Sequence, residues 1–345
     1  MTKFTKAQYE RKILKGKKLS DYTWEFVRAS EELGLKYKFI THPSVTIERH
    51  MEIYYKKKMM RIMPASTPFN NIVAHDVSVM KHLSNQILRD AGLPVPLQYV
   101  VKSSDDKQLQ KMSFPLVVKP LHLSGGKGIS ADVSTPAELK KAIKIAQKVT
   151  NEYSIGSIKK KKVLVEEMIK GNENRLLVFK GKLIAAVQRI PASLVADGKH
   201  TVAELIEINN NRQGVNRRVY DIVVDYDLHH CLKRQKLKME SVPPKDTIVQ
   251  LHTVSNASKG ATIKNVTDDV HPKFKKIAIA AAKTIDLVLG GIDVMAEDIT
   301  KSPTGQEHGI IEVNSRAGVR MHCNPNVGQM VDVPKILIKD YLGIK

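Results

Sequence analysis

Cysteine is nearly absent from this sequence: Cys231 and Cys323 are the two present, and neither belongs to a Cys-x-x-Cys pair. That excludes a disulfide framework and fits a reducing compartment, so the chain is expected to be cytoplasmic. Long apolar runs are missing as well. No stretch approaches the roughly 20 residues that span a bilayer, and no apolar segment follows the basic N-terminus, so neither a membrane span nor a secretory signal is expected. Aromatic residues are scarce at 5%, and few interleave with the basic runs, which argues against nucleic-acid recognition by stacking. Trp24, the only tryptophan, is expected in the core. Acid is short too, with 35 Asp and Glu against 56 Lys and Arg, a formal charge of +21.

What is present is globular material. A chain of 345 residues, 42% hydrophobic, can form two or three domains with real cores. Basic residues gather at 12–18, 56–61, 159–162 and 233–238. A solvated lysine-rich surface, with sites for phosphates and carboxylates, accounts for them most simply. An acidic polymer held by counterion release is the other reading.

Periodicity predicts a helix over 76–90, stopped by Gly92-Leu93-Pro94, and a strand at 114–119. A second strand is expected at 129–133, after the glycine loop Ser124-Gly125-Gly126-Lys127-Gly128. Thr135-Pro136-Ala137-Glu138 and Thr201-Val202-Ala203-Glu204 read as capping boxes that open helices. Strands follow at 163–167 and 248–252, with a hairpin over 176–188. An alanine-rich helix over 272–289 should end at Gly290-Gly291, before strands at 292–296 and 308–313. Helices and strands do not alternate regularly, so the class is α+β.

Two constellations carry chemistry. The glycine loop lets backbone N–H groups approach phosphate oxygens, and Lys119 ends the apolar strand leading into it. Strand follows the loop where the P-loop and dinucleotide fingerprints require helix, and Gly128 stands where a P-loop has Ser or Thr, so neither applies. The second constellation is Asp293, Glu312 and Asn314. Glu312 and Asn314, two apart on a strand, share a face, and Asp293 on the preceding strand can meet them across a hairpin. These hard oxygen ligands suit Mg²⁺ bridging nucleotide phosphates. Arg175 and Arg189 flank the 176–188 hairpin, and Arg320 with His322 follows the metal strand; such arginines suit carboxylate and acyl-phosphate recognition. His229-His230-Cys231 fits no zinc spacing, and Cys323 beside His322 has no orienting partner, so neither is taken as a site.

In this order the motifs resemble the ATP-grasp family. Pro115-Leu116-Val117-Val118-Lys119-Pro120 through Gly128 is similar to the nucleotide-grasping lid, and Val163-Leu164-Val165-Glu166-Glu167-Met168 to the adenine-binding hinge. Gly171-Asn172-Glu173-Asn174-Arg175 matches the ribose segment, and Ile310-Ile311-Glu312-Val313-Asn314 the metal strand. Arg189-Ile190-Pro191-Ala192, Asp197-Gly198-Lys199-His200-Thr201, Gly291-Ile292-Asp293 and Gly318-Val319-Arg320-Met321-His322 extend the likeness to the ATP-grasp part of cyanophycin synthetase and of bifunctional glutathione synthetases.

The resemblance implies an α+β ATP-grasp fold with an N-terminal region over 1–92, a central lid over 93–168 and a C-terminal domain with the metal site over 169–345. Nucleotide would lie between lid and C-terminal domain. It implies that Lys81, Lys119 and Ser124, Gly125, Gly126, Lys127, Gly128 meet phosphates, that Glu166, Glu167, Met168 and Ile169 line the adenine site, and that Glu173 holds ribose. Asp293, Glu312 and Asn314 would bind two Mg²⁺, with Mn²⁺ able to substitute. Arg175, Arg189 and Arg320 would act on the reacting groups, and Arg320 with His322 on substrate. The implied activity is ATP-dependent joining of a carboxylate to an amine, both small molecules or peptides, with an acidic polymer and a homo-oligomer left open. A kinase of a non-carboxylate acceptor and a non-catalytic nucleotide or polyanion binder are the alternatives. Asn256-Ala257-Ser258-Lys259-Gly260-Ala261, where the family has a Ser-Thr-Gly-Gly turn, leaves the substrate open.

Overall fold

A computed structural model describes residues 5–14, 18–40, 47–48, 50–63, 66–121, 123, 126–153, 162–211, 221–255 and 257–345. The N-terminal region runs α1 (Lys6–Lys12), β1 (Lys18–Leu19), α2 (Asp21–Glu32), β2 (Lys36–Phe39), β3 (Ile47–Glu48), β4 (Met51–Tyr55) and β5 (Lys58–Ile62). A capping box at Thr5 opens α1 and Ser20 caps α2. β2, β4 and β5 form an antiparallel sheet, and β1 pairs with β3 in parallel.

The helix expected over 76–90 is two helices, α3 (Ile72–Val79) and α4 (Lys81–Asp90). Met80, at φ −85° and ψ 82°, breaks the turn between them. Tertiary contacts hold the break: Ser78 and His75 bond the Ser315 hydroxyl, while Lys81 reaches Glu312.

Next come β6 (Gln98–Val101), β7 (Leu116–Pro120), β8 (Ser130–Val133), α5 (Pro136–Tyr153) and β9 (Val163–Glu167). Their strands pair in the order β6-β9-β7-β8. Leu139, Ala142, Ile143 and Ala146 of α5 pack on Leu116, Val118, Val163 and Val165. Because strand side chains alternate, Lys119 and Glu166 fall on the sheet face away from α5. At Thr135 the cap forms as expected, but Glu138 reaches back to the N–H of Ser134.

The C-terminal part contains β10 (Asn172–Phe179), β11 (Lys182–Ile190), β12 (Ser193–Val195), α6 (Val202–Asn210), α7 (Tyr226–Arg234), β13 (Ile248–Gln250), β14 (Thr262–Asn265) and α8 (Pro272–Thr284). It closes with β15 (Leu289–Ala296), β16 (His308–Asn314), α9 (Arg320–Cys323) and α10 (Val333–Leu342). An antiparallel sheet ordered β14-β11-β10-β15-β16 is its centre. α8 ends at Thr284 rather than 289, and β15 starts at Leu289, so the glycine pair expected to separate helix and strand lies inside the strand. The sheet explains why: a Cβ on Gly291 would come within 3.0 Å of the Arg175 side chain.

Each face of this sheet has its own core. Leu176, Val178, Ile292 and Val294 pack with Phe274, Ala278 and Ala281 of α8. Leu177, Phe179 and Leu289, on the other face, share a cluster with Phe26, Ile53 and Ile62 of the N-terminal region and Leu337 and Ile338 of α10. Residues 173, 175 and 293 share parity with that second face, so charged side chains occupy one end of it and apolar ones the other. The 192–251 segment buries a separate cluster that includes Val202, Leu205, Leu228 and Val249. No helix among the described residues is long and apolar enough to cross a membrane.

Candidate active site

Strand register builds the charged end of the sheet. Arg175 on β10 lies opposite Asp293 on β15, Asp293 lies opposite Glu312 on β16, and Glu173 lies opposite Arg189 on β11. Arg175 grips Asp293 with two nitrogens: Nε meets Oδ1, and NH2 meets Oδ2 at 2.8 Å. Arg189 NH2 reaches the same Oδ2 at 3.0 Å and also pairs with Glu173 Oε1. Asn314 donates weakly to Asp293 Oδ2 at 3.4 Å, and Lys81 Nζ pairs with Glu312. The cluster thus sets Lys81, Arg175 and Arg189 against Glu173, Asp293 and Glu312.

Burial and neighbouring charge divide the two inner acids. Burial pushes Asp293 upward, but the guanidinium groups of Arg175 and Arg189 outweigh it and hold the carboxyl below the usual range. Glu173 shifts the other way. Burial raises it, Arg189 opposes, and the negative Asp293 adds to the rise. Asp293 has two guanidinium groups; Glu173 shares one of them and takes a hydrogen bond from the Ser255 hydroxyl. Burial would lower Arg189, yet the charges of Asp293 and Glu173 raise it above an ordinary arginine. His322 is held down to about 3, first by burial and then by Arg175 and Arg189, so its ring is neutral near neutral pH.

Several buried polar atoms in this region lack partners among the described residues: both ring nitrogens of His322 and Nε of Arg189. Unpaired buried groups cost free energy, and a ligand's polar atoms would recover it. The donor set fits the phosphates and divalent cation that the resemblance implies. Glu312, its side chain 31% exposed, has a lysine as its ion-pair partner, and Asn314 retains its amide oxygen for a cation. Asp293 could join only by sharing oxygens that Arg175 and Arg189 already hold.

The β6-β9-β7-β8 sheet contributes a second group. Lys119 Nζ and Glu166 Oε1 are 2.7 Å apart, both buried, on the sheet face opposite α5. Glu167 accepts the N–H of Ser113 at 3.0 Å, and the N–H of Met168 donates to Pro115 at 3.0 Å. Ile169 packs closely on Gly309, its Cδ1 crowding the place where a Cβ would stand, so that side chain would have to move to admit one. Gly171, at φ +126°, would drive a Cβ into the backbone of Ala296. Gly126, Lys127 and Gly128 form the turn into β8, with positive φ at both glycines. Ser124 and Gly125 lie outside the described residues.

Arg320 pairs with Asp21 of α2 at 2.7 Å, a partner outside the cluster. Sequence reasoning missed Ser255 and the His75–Ser78–Ser315 hydroxyl network, which no local motif marks. It also missed Asp225, Asp227 and His252, whose possible ligand atoms all lie within 4.8 Å of one another. Lys259 already serves those carboxylates, at 2.9 Å from Asp225 and 3.6 Å from Asp227.

A family model described as ATP-grasp domain matches residues 112–217. Cyanophycin synthetase of Crocosphaera subtropica is 33% identical over 285 residues, covering 81% of this chain and 32% of that protein. The glutathione biosynthesis bifunctional protein of Mannheimia succiniciproducens is 30% identical over 280 residues, covering 75% of this chain and 35% of that one. The chain thus spans about a third of the length of these curated relatives. A bifunctional glutathione synthetase structure from Pasteurella multocida superposes over 93% of this chain and 43% of its own, with a TM-score of 0.66 and 24% identity, a likeness of fold.

Proposed function

This chain belongs to the ATP-grasp family, and from that premise we propose that it is a carboxylate–amine ligase that forms an amide or peptide bond with release of ADP and phosphate. The observation that carries the proposal is the charge-balanced cluster of Lys81, Arg175, Arg189, Glu173, Asp293 and Glu312, with unpaired polar atoms of His322 and Arg189 beside it. In this reading ATP lies between a lid over 93–168 and a C-terminal domain over 169–345. Lys81 leaves Glu312 for a phosphate, and Lys119 meets the phosphates from the lid side. Glu312 and Asn314, with Asp293 sharing, would hold Mg²⁺ or Mn²⁺, one ion or two, which when bound neutralises phosphate charge.

A substrate carboxylate oxygen attacks the γ-phosphorus, breaking its bond to the β-phosphate oxygen and giving an acyl phosphate and ADP. The amine then adds to the acyl carbon, phosphate leaves, and the amine gives up a proton. Arg175 and Arg189 hold the carboxylate and the developing phosphate charge in place, so positioning and electrostatics supply most of the acceleration. Neutral His322 offers one ring nitrogen as donor and the other as acceptor to the bound substrate. Arg320, held by Asp21, sets the segment on which His322 sits. Glu173 with Ser255 holds the ribose, the hinge residues Glu166 to Ile169 meet the adenine, and the 124–128 loop keeps water from the acyl phosphate. The two free, buried cysteines agree with a cytoplasmic setting.

The test is ADP release by the full chain with Mg²⁺ and ATP against pooled amino acids and short acidic peptides, with products identified by mass. An amide product supports the reading; a phosphorylated product without an amide overturns it in favour of a kinase. With a productive substrate pair, Glu312→Gln is expected to lower kcat by at least about a hundredfold, as loss of an electrostatic group at a transferring phosphoryl does. Wild-type turnover in that variant would remove Glu312 from the site.

A further inference from the structure

Helix α5 carries Lys140, Lys144 and Lys148 at successive turns, with Lys141 beside them, and all four are exposed. None of the four has an ion-pair partner among the described residues. Like charges four apart destabilise a helix, and surface helices ordinarily relieve them with acids at that spacing. Here Glu138 is spent on the N–H of Ser134, and Glu152, four residues past Lys148, makes no ion pair with it. The last turn, where the helix dipole favours cations, lies beyond these lysines.

The stripe also stands apart from the nucleotide. Leu139, Ala142, Ile143 and Ala146 turn the opposite side of α5 into the lid core, and Lys119 and Glu166 lie on the far face of the sheet beneath. Phosphates bound there cannot account for these charges. A fifth exposed lysine, Lys102, adjoins the helix, its carbonyl accepting from Gln147 at 2.8 Å.

We propose that the outer face of α5 is a docking track for an acidic polypeptide in extended conformation. Four helical residues rise about 6 Å, and alternate side chains of an extended peptide stand about 6.6 Å apart. Acids at every second position therefore meet one lysine per turn of α5. Stacking partners for nucleic-acid bases are missing among the described side chains of the exposed face, and Ile145 is the one large apolar side chain exposed on it, too little to hold a helix in a bilayer.

The test needs no turnover, so it stands whether or not the ligase reading does. Anisotropy of a fluorescein-labelled Glu-Ser repeat peptide is measured with the full chain at low salt. A peptide with equal acid count at every third position, duplex DNA and phosphatidylserine vesicles serve as competitors. The Glu-Ser peptide is expected to bind best, and Lys140→Glu/Lys144→Glu/Lys148→Glu to weaken it at least about tenfold, an effect that shrinks as salt rises. An unchanged melting temperature shows that the variant folds; if it does not, Lys144→Glu alone should give a smaller, graded loss. Undiminished binding by the folded variant, no binding by the wild type, or equal use of the same lysines by DNA or vesicles overturns the proposal.

Discussion

At His322, burial separates two protonation equilibria that coincide in water. The folded ring takes a proton only near a pH of about 3, whereas the unfolded chain takes one near the ordinary value of 6.5. Below 6.5 the unfolded state therefore binds more protons, and stability is lost as pH falls from 6.5 toward 3. At pH 5 this one residue should cost about 2 kcal/mol. His322→Phe, compared with wild type by urea denaturation, should lose about that much less between pH 7 and pH 5. Equal losses would mean that the ring is already charged or exposed in the native state. Its neighbour Cys323 is pushed far above the usual thiol range by burial and the nearby Glu25 charge, so it stays a thiol and packs as a small apolar group.

Among the elements, Gly171 is the least replaceable position of the link between β9 and β10, the proposed hinge of the lid. Its φ of +126° is glycine territory, and a Cβ would strike the carbonyl of Ala296. Gly171→Ala should lower stability by about 2 kcal/mol or more, read as a drop in melting temperature, and should also slow turnover if the hinge shifts. Gly181, with φ +72° and open space around it, should tolerate the same change better. Local signals in the sequence held where local physics decides. The capping box at Thr201 forms as written, with Glu204 returning to the Thr201 N–H, and the 176–188 hairpin appears, extended at both ends. They failed where a distant partner decides. The 76–90 periodicity conceals the break at Met80 because Glu312 and Ser315, far along the chain, hold its two sides. Gly290-Gly291 looks like a helix stop, but within the strand the Arg175 side chain crowds Gly291 and Leu287 crowds Gly290. Sequence spacing could put Asp293 opposite Glu312, and register does so. It could not reveal that two arginines would claim Asp293 first.

Over the whole molecule, the N-terminal region is bonded to the segment behind the site. Arg28 of α2 makes a two-pronged pair with Asp332 at 2.9 and 3.0 Å, and Asn324 bonds Glu25 at 2.7 Å. Lys335 bonds Glu32 at 2.8 Å, and Arg320 meets Asp21. Arg28→Ala should destabilise the protein by about 2–4 kcal/mol because it strands partly buried Asp332 and Glu25. Protease cleavage in the N-terminal region should then quicken before any loss of nucleotide binding; simultaneous loss of both would mean that α2 shapes the nucleotide site itself. A bare cation would have to evict Lys81 from Glu312, and a bare nucleotide would have to draw Lys81, Arg175 and Arg189 away from their acids; either exchange leaves buried charge unmatched. Arriving together, each repairs the mismatch the other creates, so in the proposed reading the cluster would act as a coincidence detector. ATP affinity measured calorimetrically should rise by at least about tenfold on adding Mg²⁺, and equal affinity in excess EDTA would show that the two do not meet at this site.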